Sequence, residues 1–289
     1  MENWFVISGW LLSVATATGN GFVVFLVAKN RRLHSSANWF ILSLAVADFG
    51  VGIAVFPSSY FCYDSMACNF SVYMAFFWFF LHSSVTNLCT LTWDRYIAIV
   101  HPFRYHNSMT KRRPRIVILT AWLIPLAIAL SLLVGIYATE SKTVLKLLRA
   151  TGVSAFDIIS SALLFYAVFR ILAVARTKSR QESAIGRQVE SSSASYTSAG
   201  AAPPRRRKKY SSAPLIIALV VFFLVCYSVV NFLVLCNTFS CLGSDSASAT
   251  GQILNLLLVL NSAVNPLVYA FLNRDIRRQI KLMFICIEH

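Results

Sequence analysis

Apolar residues along this chain come in long runs separated by short polar clusters. Seven runs, at roughly 4–28, 38–61, 70–100, 115–137, 151–175, 213–236 and 249–272, are the candidate membrane spans, most of them long enough to cross about 30 Å of hydrocarbon as helices. They are too long and too little alternating for barrel strands, and a helix satisfies its own backbone hydrogen bonds in lipid. The pattern predicts an all-α membrane protein, a seven-transmembrane helix bundle forming one domain over 1–289. From Phe271 to Phe284 apolar residues recur at helical spacing with Arg274, Arg277, Arg278 and Lys281 between them. That predicts a short amphipathic helix on the inner membrane surface, with 273–289 as helix and tail. The segment 177–212 is rich in Ser, Ala and Arg and nearly empty of large apolar residues after Ile185, so it is expected to be a disordered third cytoplasmic loop. The first run begins at once, without a basic stretch before it, and is expected to serve as its own insertion signal.

Composition agrees: 57% of residues are hydrophobic, 13% are charged and the mean hydropathy is +0.65. A net charge of +15 taken alone would fit a nucleic-acid binder, but its distribution argues otherwise. With the amino terminus outside, 23 of the 26 Lys and Arg fall on cytoplasmic segments, and only Lys142, Lys146 and Arg149 fall outside. This asymmetry predicts an extracellular amino terminus and a cytoplasmic carboxyl terminus. The cations then face anionic inner-leaflet lipid or a cytoplasmic partner, not nucleic acid. Cys62, Cys68, Cys236 and Cys241 fall on the outer side, where disulfides form. Four cysteines permit three connectivities, among them Cys62–Cys68 with Cys236–Cys241. Asn69-Phe70-Ser71 is a glycosylation sequon on the same side. Cys286, past the last span, is a candidate for reversible acylation.

Candidate chemistry lies in the polar residues buried in the runs. A lone Asp at mid-bilayer costs about 2.5–3.5 kcal/mol, so Asp48 is expected to face the bundle and find partners. Asn261, Ser262 and Asn265 share one face of the seventh run, beside Pro266, which frees a backbone carbonyl. Ser84 lies on the third run, ahead of Asp94. Their oxygens suit a hard monovalent cation; a neutral hydrogen-bonded network around a protonated Asp48 is the alternative. Asp94-Arg95-Tyr96 closes the third run with an arginine that cannot lose its charge, and reads either as interfacial charges reaching to headgroups or as a switch. Paired catalytic acids and metal-spaced histidines are missing from the sequence, so no enzyme activity is expected. A channel or transporter, the alternative class, would spread ionisable residues along a path through the bundle; the buried charges here are few.

In order along the chain, Gly19-Asn20, Leu44-Ala45-Val46-Ala47-Asp48, Asp94-Arg95-Tyr96, Trp122 and Asn265-Pro266-Leu267-Val268-Tyr269 resemble the signature of rhodopsin-like (class A) G-protein-coupled receptors. The likeness covers nearly the whole chain and is nearest in flavour to amine and melanocortin receptors. It implies a plasma-membrane receptor that binds a small-molecule or peptide ligand outside and activates heterotrimeric G proteins inside. Membrane lipid, arrestin and receptor kinases are the further partners it implies. Arg95 would carry the G-protein-facing switch, restrained by Asp94, with Tyr166 and Tyr269 turning inward to join it on activation and Pro102 and Phe103 meeting the G protein. Asp48, Ser84, Asn261, Ser262 and Asn265 match the family's sodium pocket, so a sodium ion is expected as an allosteric ligand and no other cofactor.

The chain also departs from that pattern. Phe77 stands where amine receptors carry an Asp, so a protonated amine loses its usual charge-assisted anchor. Tyr227 replaces a Trp, and Val229 and Ile158 stand where prolines are common. The expected ligand pocket is Phe77, Trp78, Leu81, Tyr227, Asn231 and Asn255, largely apolar with two amides for orientation. Asp157 is an unusual buried acid, expected to pair locally with a Ser or His. The loop 138–150 has no cysteine, so the family's usual bridge to it cannot form, and residues 203–236 contain no acid to restrain Arg95 from the sixth span. A weakly locked inactive state with appreciable basal signalling is the expectation.

Overall fold

The computed structural model describes residues 2–63, 68–103, 105, 112–138, 141–193, 213–238 and 244–285. Its helices are α1 (Asn3–Lys29), α2 (Ser36–Tyr63), α3 (Phe70–Val100), α4 (Arg112–Ala138), α5 (Lys142–Ser193), α6 (Ala213–Thr238), α7 (Ser244–Leu272) and α8 (Arg274–Ile285), with a 3₁₀ turn at Arg31–Leu33. Seven are long and apolar enough to cross a membrane. At 1.5 Å per residue the 27 residues of α1 reach about 40 Å. Pro57, Pro125 and Pro266 lie inside α2, α4 and α7, each removing one helical hydrogen bond.

Neighbours pack in order, α1 against α2, α2 against α3 and α3 against α4, and α1 meets α7 to close the ring. The third helix is central, touching α2, α4, α5 and α6. Polar side chains help hold it there, as small and polar residues do where lipid supplies no hydrophobic drive between helices. The Trp122 indole donates to Ser43 Oγ at 3.0 Å, and Ser43 donates to Asn87 Oδ1 at 2.6 Å, tying α4, α2 and α3 together. The Thr86 hydroxyl donates to the Ala121 carbonyl at 2.6 Å. Leu11, Leu130, Ile159, Phe165 and Phe232 point outward from the bundle.

Glycine sets the approach of α1 to α2. A Cβ on Gly52 would stand 2.7 Å from the Ala17 backbone nitrogen and 3.1 Å from the Ser13 carbonyl oxygen, and the Ser13 hydroxyl donates to the Gly52 carbonyl. Gly52→Ala is therefore expected to force the two backbones apart at a cost of about 1–3 kcal/mol. Thermal melts of the solubilised protein should show a lower midpoint. Gly251→Ala, where a Cβ meets nothing within 4 Å, is the neutral control.

The fifth helix differs from expectation at both ends. It starts at Lys142 instead of near 151, and it continues through Ser193 across the stretch expected to be disordered from 177. Arg, Lys, Gln, Glu and Ala are strong helix formers, and extending a formed helix needs no new nucleus and no core. Residues 194–212, the rest of that loop, lie outside the described residues, as do Cys241 and Cys286.

Beyond α7, Asn273 caps α8: its Oδ1 accepts from the backbone N–H of Asp275 at 3.0 Å and of Ile276 at 3.2 Å. Ile276 is buried, Ile280 and Met283 are partly buried against the core, and Arg274, Arg277, Arg278 and Lys281 are exposed around them. Such a helix can lie flat on a membrane surface. At the other end a disulfide joins Cys62 to Cys68, linking the end of α2 to the start of α3. Asn69 is exposed and caps α3, its Oδ1 accepting from the Val72 backbone N–H at 3.2 Å.

Candidate functional site

The polar centre of the bundle is built on Asp48 of α2, which is wholly buried. Ser84 of α3 donates to its Oδ1 at 2.6 Å, and the Asn265 amide of α7 donates to its Oδ2 at 2.6 Å. From α1, the Asn20 amide donates to the Ser262 carbonyl at 3.1 Å and to the Thr16 carbonyl at 2.9 Å. Three helices thus meet at one carboxylate, and α1 is tied to the same cluster through α7. Asn261 and Ser262 are buried in the same region, and Asn20 Oδ1 is a buried acceptor with no hydrogen-bond partner among the described residues. No group of three or more His, Cys, Asp or Glu able to hold a metal occurs among the described residues. The oxygens gathered around Asp48 come instead from one carboxylate, serines and asparagines, a set that fits a hard monovalent cation.

The second centre lies at the carboxyl-terminal end of α3. Arg95 gives both its bonds to one oxygen of its neighbour: Nε at 2.9 Å and Nη2 at 2.5 Å from Asp94 Oδ2. The Tyr105 hydroxyl donates to the other oxygen, Asp94 Oδ1, at 3.2 Å. Burial, and then the negative Asp94, push the Tyr105 phenol above its ordinary value, so it stays a donor at neutral pH. Asp94 is buried, whereas Arg95 borders a cavity of about 300 Å³ with Asn38, Leu91, Leu215, Ile216 and Arg274. Pro102 and Phe103 follow α3 and are exposed.

The two tyrosines that the resemblance tied to Arg95 lie elsewhere in this state. Tyr269 is wholly buried, and its hydroxyl has no partner among the described residues. Tyr166 is exposed on the outer face of α5, its ring 6.1 Å from that of Tyr96. Tyr96 in turn stacks on Trp93 at 4.9 Å. The sequence did not point to Tyr105, because its meeting with Asp94 depends on how the chain turns after Pro102.

Toward the opposite end, Phe77, Leu81 and Tyr227 are buried and Trp78 is half-buried. The Phe77 and Trp78 rings meet edge to face at 5.3 Å. Asn255 of α7 donates to Ser59 Oγ of α2 at 3.0 Å, and Ser59 pairs with the Tyr73 hydroxyl of α3 at 2.6 Å. Ser59 and Tyr73 were missed; neither stands out in its own segment. Asn231 spends its amide N–H on the Tyr227 carbonyl of its own helix at 2.9 Å. Asp157 is buried on α5, and its Oδ1 has no hydrogen-bond partner among the described residues, so the expected Ser or His pairing does not form at that oxygen.

Comparison with known proteins agrees with this arrangement. The octopamine receptor beta-2R of Drosophila melanogaster is 25% identical over 96% of this chain, and the chain spans 60% of that receptor's length. The trace amine-associated receptor 8b of Rattus norvegicus is 30% identical over 94% of this chain and 83% of its own length. The histamine H2 receptor of Cavia porcellus is 28% identical over 96% of this chain and 78% of its own length. The family described as "7 transmembrane receptor (rhodopsin family)" matches residues 19–269. With both polar centres and all seven spans meeting that match, the chain belongs to the rhodopsin family of seven-transmembrane receptors.

Proposed function

We propose that this chain is a plasma-membrane receptor that binds a small-molecule ligand from outside and activates heterotrimeric G proteins, with its amino terminus extracellular. The observation that carries the reading is the Asp94–Arg95 pair at the mouth of the cytoplasmic cavity, in a chain of this family. A guanidinium held by its own neighbour and bordering an open cavity is a group that a cytoplasmic partner can capture. Two states of the bundle, one favoured by ligand and one by the empty cavity, are then coupled across the membrane. The same reading brings in arrestin and receptor kinases as later partners and inner-leaflet lipid beneath α8, and it gives the chain no catalytic task.

The Asp48 cluster we assign to a sodium ion that favours the resting state. The fit rests on the donor set and on the free Asn20 Oδ1. Sodium would add a positive charge at a buried carboxylate that otherwise lacks one.

Cells expressing the chain are expected to raise or lower a second messenger relative to untransfected background, through a G protein, without added ligand. Arg95→Ala at equal surface expression should return the signal to background. Ion current or solute uptake that persists when G proteins are blocked would overturn the reading in favour of a channel or transporter.

A further inference from the structure

The end of α3 is held from α5 as well as by its own Asp94–Arg95 pair. Lys178 Nζ donates to the Ile99 carbonyl at 3.4 Å. That carbonyl lies in the last turn of α3, which ends at Val100. Carbonyls there have no partner inside their own helix, and the helix dipole favours a cation beside them. A lysine at a membrane edge usually stretches toward headgroups. Lys178 is instead half-buried and turned back onto α3.

Tyr166, Arg170, Val174 and Lys178 recur every four residues and so form one ridge of α5. At the far end of that ridge the Tyr166 ring stands 6.1 Å from that of Tyr96. The Tyr96 hydroxyl lies within electrostatic reach of both Tyr166 and Arg170. Tyr96 is itself pinned: Trp93 stacks on it at 4.9 Å, His101 meets it edge to face at 5.9 Å, and it is buried. Val174, between the two contacts, packs against the core. Residues 203–236 hold no acid, so α6 offers the end of α3 no comparable charged partner for Arg95.

Resting on the receptor reading above, we propose that Lys178 and Tyr96 are positioning residues that tie α5 to the end of α3 in the resting receptor. Lys178 caps the Ile99 carbonyl, and Tyr96 holds Tyr166 at the outer face of α5. Tyr166 has to leave Tyr96 before it can turn toward Arg95, so the tie favours the state in which Arg95 stays on Asp94. The lysine belongs to the polar stretch after 177, which gains this task only because α5 continues through it as a helix.

The test compares Lys178→Gln, Lys178→Arg and Arg176→Gln in the full chain, by ligand-free signalling per receptor at the cell surface. Lys178→Gln is expected to raise the signal about two- to fivefold, as loss of a cation at a helix carboxyl end does. Lys178→Arg keeps the charge and the donor and should stay at the wild-type level. Arg176→Gln removes an exposed cation two residues away and should also change nothing. Tyr96→Phe should raise the signal, and further when combined with Lys178→Gln. An unchanged or lowered signal in Lys178→Gln would overturn the proposal, as would an equal rise in Lys178→Arg or Arg176→Gln. If Tyr96→Phe does not reach the surface, the Lys178 series decides. Hydrogen–deuterium exchange of the purified chain reads the tie without any G protein. The last turn of α3 should exchange faster in Lys178→Gln and at the wild-type rate in Lys178→Arg; equal rates in all three chains would again overturn the tie. A wild-type chain with no signal above Arg95→Ala, but with this exchange pattern, would count against the receptor reading and leave the tie standing.

Discussion

Asp94→Asn is expected to raise ligand-free signalling of this receptor about tenfold or more. Both of Arg95's hydrogen bonds go to Asp94 Oδ2, and hydrogen bonds to charged groups contribute about 1.5–3 kcal/mol each. Losing even the smaller of these figures shifts a two-state equilibrium about tenfold. Nothing on the sixth helix replaces the loss, because residues 203–236 contain no acidic side chain and end the preceding loop in Arg205, Arg206, Arg207, Lys208 and Lys209. The freed guanidinium already borders the cavity at that end of the bundle, so it is available to a partner without further rearrangement. Tyr105→Phe removes one neutral donor from the other oxygen of Asp94 and should raise the signal much less. Second-messenger output per receptor at the cell surface measures both, with Arg95→Ala as the silent baseline. Unchanged output in Asp94→Asn would show that this pair does not hold the resting state.

Where the sequence foretold the structure, a physical constraint left little choice. Hydrocarbon thickness dictates the length of an apolar run, so seven spans could be counted before their packing was known. Asp48, Ser84 and Asn265 stood out because polar side chains inside such runs must find one another, and they do, at 2.6 Å. The helical spacing of Ile276, Ile280 and Met283 among cations made α8 equally plain. Features that escaped notice depend on how separate helices meet. Ser59, Tyr73 and Asn255 form a chain across α2, α3 and α7 that no spacing within one helix announces. His82 reads in sequence as one more member of an aromatic stretch, and only its enclosure by Trp78 and Phe156 with both nitrogens unpaired sets it apart. The continuation of α5 to Ser193 went unforeseen for the opposite reason: polar composition was read as disorder, though the residues are good helix formers on a helix already begun.

Exchanging sodium outside the cell for a bulky organic cation at constant ionic strength is expected to raise the basal signal of the wild-type receptor and to leave Asp48→Asn unmoved. A ligand that binds one state stabilises it by RT ln(1 + [L]/Kd). Sodium present at about ten times its Kd for the resting state therefore favours that state by about 1.4 kcal/mol, again close to tenfold. The amide introduced by Asp48→Asn keeps the size of the side chain and an acceptor for Ser84 but carries no charge to attract the ion, so this variant separates charge from packing. Asp48→Leu does not make that distinction, because it also strands the Ser84 hydroxyl and the Asn265 amide in the interior at about 1–3 kcal/mol each. Asn20→Leu offers a second check from α1, since it removes an unpaired oxygen in the cluster without touching the carboxylate; its sodium response should be weakened, not abolished. The two centres are joined by α3 itself, which carries Ser84 beside Asp48 and, at its inner end, Arg95. On the proposed assignment, sodium and Asp94 would restrain the same helix from two points, and Asp48→Asn combined with Asp94→Asn should give a basal signal above either alone. A sodium response that survives in Asp48→Asn would place the ion elsewhere in the bundle.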